Sequence, residues 1–180
     1  MGLVRAFLGV GASPALSAAI GQWRTQHGPM PGLRWVADHN LHMTLVFLGI
    51  VAEGQLPVLA RAITPVVAAQ SPIDVHWHAV SWFPDAQRPR VLALLPQPNE
   101  ALQHWHQQTC ASLRAQGFVL EAQPYRPHIS LARVRHTHDV PLQAGGMAQA
   151  MQVRQLTLFR SDSTANGVHY TACQSWLLGG

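Results

Sequence analysis

Apolar residues in this chain come in strand-sized runs, such as Leu45–Leu48 and Val91–Leu95, and several runs follow one another with no helical segment between them. Strands that succeed each other directly pair antiparallel, so this order points to an α+β protein rather than a doubly wound parallel sheet. Leu3–Val10 reads as the first strand. Ser13-Pro14 then supplies an N-cap and a proline for the first helical position, Leu16, Ile20 and Trp23 follow at helical spacing, and His27-Gly28 closes the helix. Leu33–Val36 is apolar but short. Leu41–Leu48 is a strand closed by Gly49. Glu53–Ala69 is helical, with Pro57 in its first turn and Pro65 expected to end or kink it. Ile73–Trp82 and Val91–Leu95 are strands around a proline-containing loop. Asn99 caps a helix that runs to Ala115 and stops at Gly117. Pro127–Val134, Val153–Arg160 and His169–Leu177 complete the strands, the last two joined by a turn at Ala165-Asn166-Gly167, and Gly145-Gly146 falls in a loop. The predicted order is β-α-β-α-β-β-α-β-β-β. No composition shift or Pro/Ser-rich linker divides the chain, so residues 1–180 are expected to form one unit.

The composition excludes several function classes. Hydrophobic residues make up 48% and charged residues 11% of the 180, which is unlike a disordered charged tail. No stretch approaches the roughly 18 apolar residues of a membrane span, and the first residues lack a secretory pattern. Cys110 and Cys173 stand far apart and are read as reduced thiols, which makes a cytoplasmic location the expectation. The 12 basic residues are all arginine, a feature that codon usage explains, and the net charge of +4 favours an anionic ligand without making a nucleic-acid-coating surface.

Eleven histidines are many for this length, and two share a pattern. His42-Met43-Thr44-Leu45 and His128-Ile129-Ser130-Leu131 both read His-x-Ser/Thr-Leu, where about 0.1 chance matches are expected from the composition. His169-Tyr170-Thr171 lacks the leucine and is read as structural. Residues two apart on a strand share a face, so each motif presents an imidazole beside a hydroxyl while Met43, Leu45, Ile129 and Leu131 face a core. One neutral imidazole can act as base and a protonated one as acid, and hydroxyls can donate to non-bridging oxygens. A phosphodiester needs this set, with no metal.

These motifs and their flanks resemble the paired signatures of the 2H phosphoesterase superfamily. Leu33-Arg34-Trp35-Val36 with Asn40–Gly49, and Tyr125-Arg126-Pro127-His128-Ile129-Ser130-Leu131-Ala132-Arg133, are similar to the two motif regions of its RNA 2′,3′-cyclic phosphodiesterase branch, the 2′-5′ RNA ligase-like proteins. Phe83–Val91 and Leu156–Arg160 fit as well. Ser130 stands where threonine is commoner. The resemblance implies a bilobal α+β fold of two mainly antiparallel sheets with flanking helices, related by a pseudo-two-fold axis around a central cleft. It implies hydrolysis of RNA or nucleoside 2′,3′-cyclic phosphate to the 2′-phosphate, and ring-opening by an RNA 5′-hydroxyl to give a 2′-5′ linkage. His42 and His128 are then the acid and base, in an order the sequence leaves open, and Thr44 and Ser130 hold the phosphoryl oxygens. No cofactor, metal or membrane is implied, and a monomer is expected.

Phe47 and Arg133 each lie five residues after a motif histidine, and in the resembled branch these positions contact the nucleotide. An odd offset falls on the opposite face of a regular strand, so this role requires a bulge or a strand end. The rival readings are a nucleotide-binding module without turnover, and the same enzyme acting on another cyclic phosphate or a 2′-5′ oligonucleotide. The pairs His76/His78, His104/His106 and His136/His138 are read as structural; only His76/His78 has strand spacing suited to a metal, and no third ligand accompanies it.

Overall fold

A computed structural model of the chain describes residues 2–135, 146–164 and 167–179. The His136/His138 pair, Gly145, the Ala165–Asn166 centre of the expected turn and Gly180 lie outside the described residues. The elements are β1 (Leu3–Gly11), α1 (Pro14–His27), β2 (Leu33–Trp35), a 3-10 turn (Asp38–Asn40), β3 (His42–Ala52), a second 3-10 turn (Glu53–Gln55) and α2 (Leu56–Ala68). They continue with β4 (Ile73–Phe83), β5 (Val91–Pro96), α3 (Glu100–Ala115), β6 (Ile129–Val134), β7 (Gly146–Val153), β8 (Gln155–Thr164) and β9 (Gly167–Leu177).

The helix boundaries follow local chemistry. The Ser13 side chain accepts from the Leu16 amide at 3.2 Å, and Asn99 does the same for Leu102 at 3.0 Å. Pro65 does not end α2, which continues to Ala68. It sits in the last turn, where the single missing amide costs one hydrogen bond and the apolar face of Leu59, Ile63 and Val67 is already buried. Two strands exceed the predicted order. β2 is three residues long, below what periodicity detects. In β7 the residues Met147, Met151 and Val153 are buried while Ala148, Ala150 and Gln152 are exposed; alanine and glutamine are poor strand formers and mask the alternation. β6 starts at Ile129 rather than Pro127, which has no amide to donate.

Every strand pair is antiparallel. The order is β7-β4-β5-β6-β3-β1-β8-β9, with β2 beside β6. The two expected sheets are therefore halves of one curled sheet, β7-β4-β5-β6 and β3-β1-β8-β9, joined at the single pair Met43↔Ile129. The two halves mirror one another outward from this joint. Each contains a β-α-β unit, β1-α1-β3 or β5-α3-β6, and the motif strand is the last member of each. The pseudo-two-fold axis thus passes between the two motif strands. Met43, Ile129 and Leu131 are fully buried, as are Trp77 and Trp105 deeper in the core.

Candidate active site

The joint between the half-sheets sets the geometry. With Met43 opposite Ile129, the antiparallel register puts His42 beside Ser130 and Thr44 beside His128. Met43 and Ile129 point into the core, so the four polar side chains face the other way, into the cleft, and each is half-buried. Both imidazoles are thereby set against both hydroxyls around one small space.

Each motif strand carries a bulge at the same place. In β3 the register with β1 runs Leu8↔Val46 and then Gly9↔Thr44, leaving Leu45 without a partner. In β6 the register with β5 runs Leu92↔Ala132 and then Ala93↔Ser130, leaving Leu131 without one. An extra residue reverses the alternation beyond it. Phe47 and Arg133 are consequently returned to the cleft face, meeting the condition that their odd offset imposed. Phe47 is 60% exposed, and its ring lies 6.4 Å from Phe7, which itself lies against His42. The leucine that completes each motif is the bulged residue, and both leucines are buried.

The two histidines are held alike. His42 Nδ1 is 2.7 Å from the Asn40 carbonyl, and His128 Nδ1 is 2.8 Å from the Arg126 carbonyl. A carbonyl can only accept, so Nδ1 carries the proton and Nε2 is left facing the cleft as a base when the ring is neutral or as a donor when it is charged. Burial pushes both imidazoles below the ordinary histidine range. The carbonyl bonds oppose that shift. Positive charge adds to it, from His128 and Arg133 at His42 and from Arg126 at His128. A charge on His128 lowers the proton affinity of His42, so the pair favours taking up protons one at a time, which is the state an acid–base pair requires.

Aromatic rings that the motifs do not announce immobilise both imidazoles. Phe83 stacks on His128 at 4.0 Å, and the Arg126 guanidinium lies 4.4 Å from the centre of the Phe83 ring while donating to the Pro84 carbonyl at 2.9 Å. Phe7 packs on His42 at 4.7 Å, and Tyr170 meets His42 edge-on at 4.9 Å. Phe7 has room beside the motif strand because residue 9 is glycine: a Cβ there would sit 3.1 Å from the Phe7 ring. Tyr170, in the segment taken as structural, thus belongs to the His42 environment. The turn bearing Asn40 is anchored by Arg24, which pairs with Asp38 at 2.8 Å and donates to the Val36 carbonyl at 3.0 Å. Asn40 Nδ2 donates to the Val168 carbonyl at 2.9 Å. One sequence signal pointed to this scaffold: Asn40 and Arg126 occupy the same offset before their histidines. Phe83 heads the Phe83–Val91 segment that fits the resemblance, whereas Phe7 and Tyr170 had no signal, because strand register alone brings them in.

A cavity of about 430 Å³ lies where the end of β1, the β7–β8 junction and β9 meet, lined by Gly11, Ser13, Arg154, Thr157, Phe159 and Ser175 and by none of the four motif side chains. Among the described residues no group of three His, Cys, Asp or Glu is placed to hold a metal ion, His76 and His78 included. Cys110 is buried against His106, and Cys173 is exposed. Among the described residues no helix is long and apolar enough to cross a membrane.

Residues 12–169 match the model of the 2′-5′ RNA ligase superfamily. The chain belongs to that superfamily. Among superfamily relatives, it is 29% identical over 178 residues to an RNA 2′,3′-cyclic phosphodiesterase of Escherichia coli K12, covering 97% of this chain and 96% of that one. It is 28% identical over 159 residues to a protein of the same name from Bacillus subtilis 168, covering 86% of each. The superfamily fold is equally clear in solved structures. TT0787 of Thermus thermophilus superimposes with a TM-score of 0.86 at 25% identity, covering 98% of both chains. E. coli LigT complexed with 3′-AMP gives 0.82 at 26% identity, covering 98% of this chain and 99% of LigT.

Proposed function

We propose that this protein hydrolyses RNA or nucleoside 2′,3′-cyclic phosphates to 2′-phosphates without a metal. The observation that carries the reading is the repeated construction of the site: two bulged strands, each presenting an imidazole fixed through Nδ1 to a carbonyl, with the opposite motif's hydroxyl beside it. The names of the relatives point to the same substrate class.

In the proposed step, water attacks phosphorus and passes a proton to Nε2 of one histidine. The bond from phosphorus to the 3′-oxygen breaks, and that oxygen takes the proton from Nε2 of the other. Thr44 and Ser130 donate to the non-bridging oxygens as charge builds on them. Phe47 offers a stacking face and Arg133 a guanidinium to the nucleotide. An RNA 5′-hydroxyl in place of water would form a 2′-5′ linkage by the same proton transfers. Residues 1–180 act as one bilobal catalytic unit, working as a monomer in the cytoplasm.

The test is incubation with adenosine 2′,3′-cyclic phosphate and with a short RNA ending in that group, in excess EDTA, with His42→Ala as control. The expected product is the 2′-phosphate, made by the wild type alone. A 3′-phosphate would reverse the regiochemistry, dependence on added metal would remove the two-histidine step, and no product from either substrate would sink the reading.

A further inference from the structure

β3 carries a second bulge beyond its motif. Its register with β1 runs Phe7↔Phe47 and then Ala6↔Gly49, leaving Leu48 without a partner, and Gly49 supplies the bend with φ +70°. The extra residue returns Ile50, which stands opposite Arg5, to the same face as Phe47. On β1 that face holds Leu3, Arg5 and Phe7, while Val4, Ala6 and Leu8 are buried in the core. Leu3, Phe47 and Ile50 are each at least 60% exposed, where large apolar side chains are otherwise mostly buried. They form one strip on the cleft face, which runs about 13 Å from Phe7 to Leu3 at the usual strand rise.

The inner end of the strip meets the candidate active site. The Phe47 ring is 6.4 Å from Phe7, and Phe7 is 4.7 Å from His42. The strip also carries Arg5, which is exposed and whose guanidinium has no ion pair or hydrogen bond among the described residues. The Glu53 carboxylate lies at Gly2 and bounds the outer end. A terminal nucleotide with its cyclic phosphate at the imidazoles and its base on Phe47 continues only from its 5′ side. A chain leaving Phe47 along β3 meets Ile50, Arg5 and Leu3. Apolar surface around an unpaired guanidinium suits single-stranded nucleic acid, whose bases lie on apolar faces and whose phosphates accept from a planar fork.

We propose that this strip binds the single-stranded RNA preceding the terminal nucleotide, with bases against Ile50 and Leu3 and a backbone phosphate on Arg5. The preferred substrate is then an oligonucleotide end rather than a mononucleotide. This inference rests on the reading of the imidazole pair as the cyclic-phosphate site.

The test compares the affinities of adenosine 2′-phosphate and of a triadenylate ending in a 2′-phosphate by calorimetry, for the wild type, Ile50→Ser and Arg5→Gln. Both positions are exposed, so the fold tolerates either change. The wild type is expected to bind the trinucleotide about 10- to 100-fold more tightly, the worth of a charge-assisted hydrogen bond or a stacked base. Each variant should cut that ratio while leaving the affinity for adenosine 2′-phosphate in place. Arg5→Gln should also lower the salt slope of trinucleotide binding by about 0.7, the share of one phosphate contact. A wild-type ratio near one, a ratio that neither variant lowers, or equal weakening of both ligands would overturn the proposal. So would a wild-type dimer in sedimentation that Ile50→Ser dissolves, since the strip would then belong to a second copy. Turnover of adenosine 2′,3′-cyclic phosphate by the wild type reports separately on the catalytic reading, and its failure leaves the affinity ratio decisive for the strip.

Discussion

Burial of two imidazoles ties the stability of this protein to pH. His42 and His128 are held below the ordinary histidine value of 6.5, first by desolvation and then by neighbouring positive charge. Once the pH drops below 6.5, the unfolded chain binds protons at these positions that the folded chain refuses. Stability therefore falls as pH falls, and the loss continues until the pH passes the lowered folded values. Each group contributes about 1.4 kcal/mol per pH unit within that window, so the pair contributes a slope approaching about 2.7 kcal/mol per unit. Against a typical total of about 5–15 kcal/mol, such a slope is easily measured. The assay is urea denaturation at about pH 7.5, 6.5 and 5.5, spanning that window, for the wild type and for His42→Gln/His128→Gln. The double variant should lose most of the acid slope. His128→Gln alone should leave His42 with part of it, reduced further because removing one charge also raises the proton affinity of His42. Equal slopes in wild type and double variant, or a wild type that gains stability on acidification through this window, would refute the argument that burial and neighbouring positive charge lower the proton affinity of these rings.

Three further outcomes are expected. Thr44→Val and Ser130→Ala should each lower kcat about 100-fold with little change in KM, measured on adenosine 2′,3′-cyclic phosphate, whereas Ser130→Thr should retain most of the rate. Leu131→Ala removes a fully buried side chain at a bulge and should cost about 2–5 kcal/mol in denaturant melts. A thiol titration of the native protein should count Cys173 alone; burial pushes the Cys110 thiol up and shields it, so it should react only after unfolding.

Much of the site was legible because its chemistry is local. A strand alternates by two, so His42 with Thr44 and His128 with Ser130 had to share faces wherever those strands lay. The caps at Ser13 and Asn99 and the stop at Gly117 were legible for the same reason: one residue answers a backbone group a few positions away. Pro65 does not end α2, because its effect depends on where in the helix it falls and on packing already secured by its neighbours. β7 was hidden by alanine and glutamine, whose strand state is imposed by β4 rather than by their own preference. The sequence by itself singled out the two imidazoles with their hydroxyls and determined which way each would face along its own strand. Only the tertiary structure decided that the motif strands meet at one residue pair, that a bulge at Leu45 and another at Leu131 turn Phe47 and Arg133 into the cleft, and that Phe7, Phe83 and Tyr170 clasp the imidazoles. Those features are matters of register between strands distant in the chain, and register is set by the packing of the whole sheet against its core.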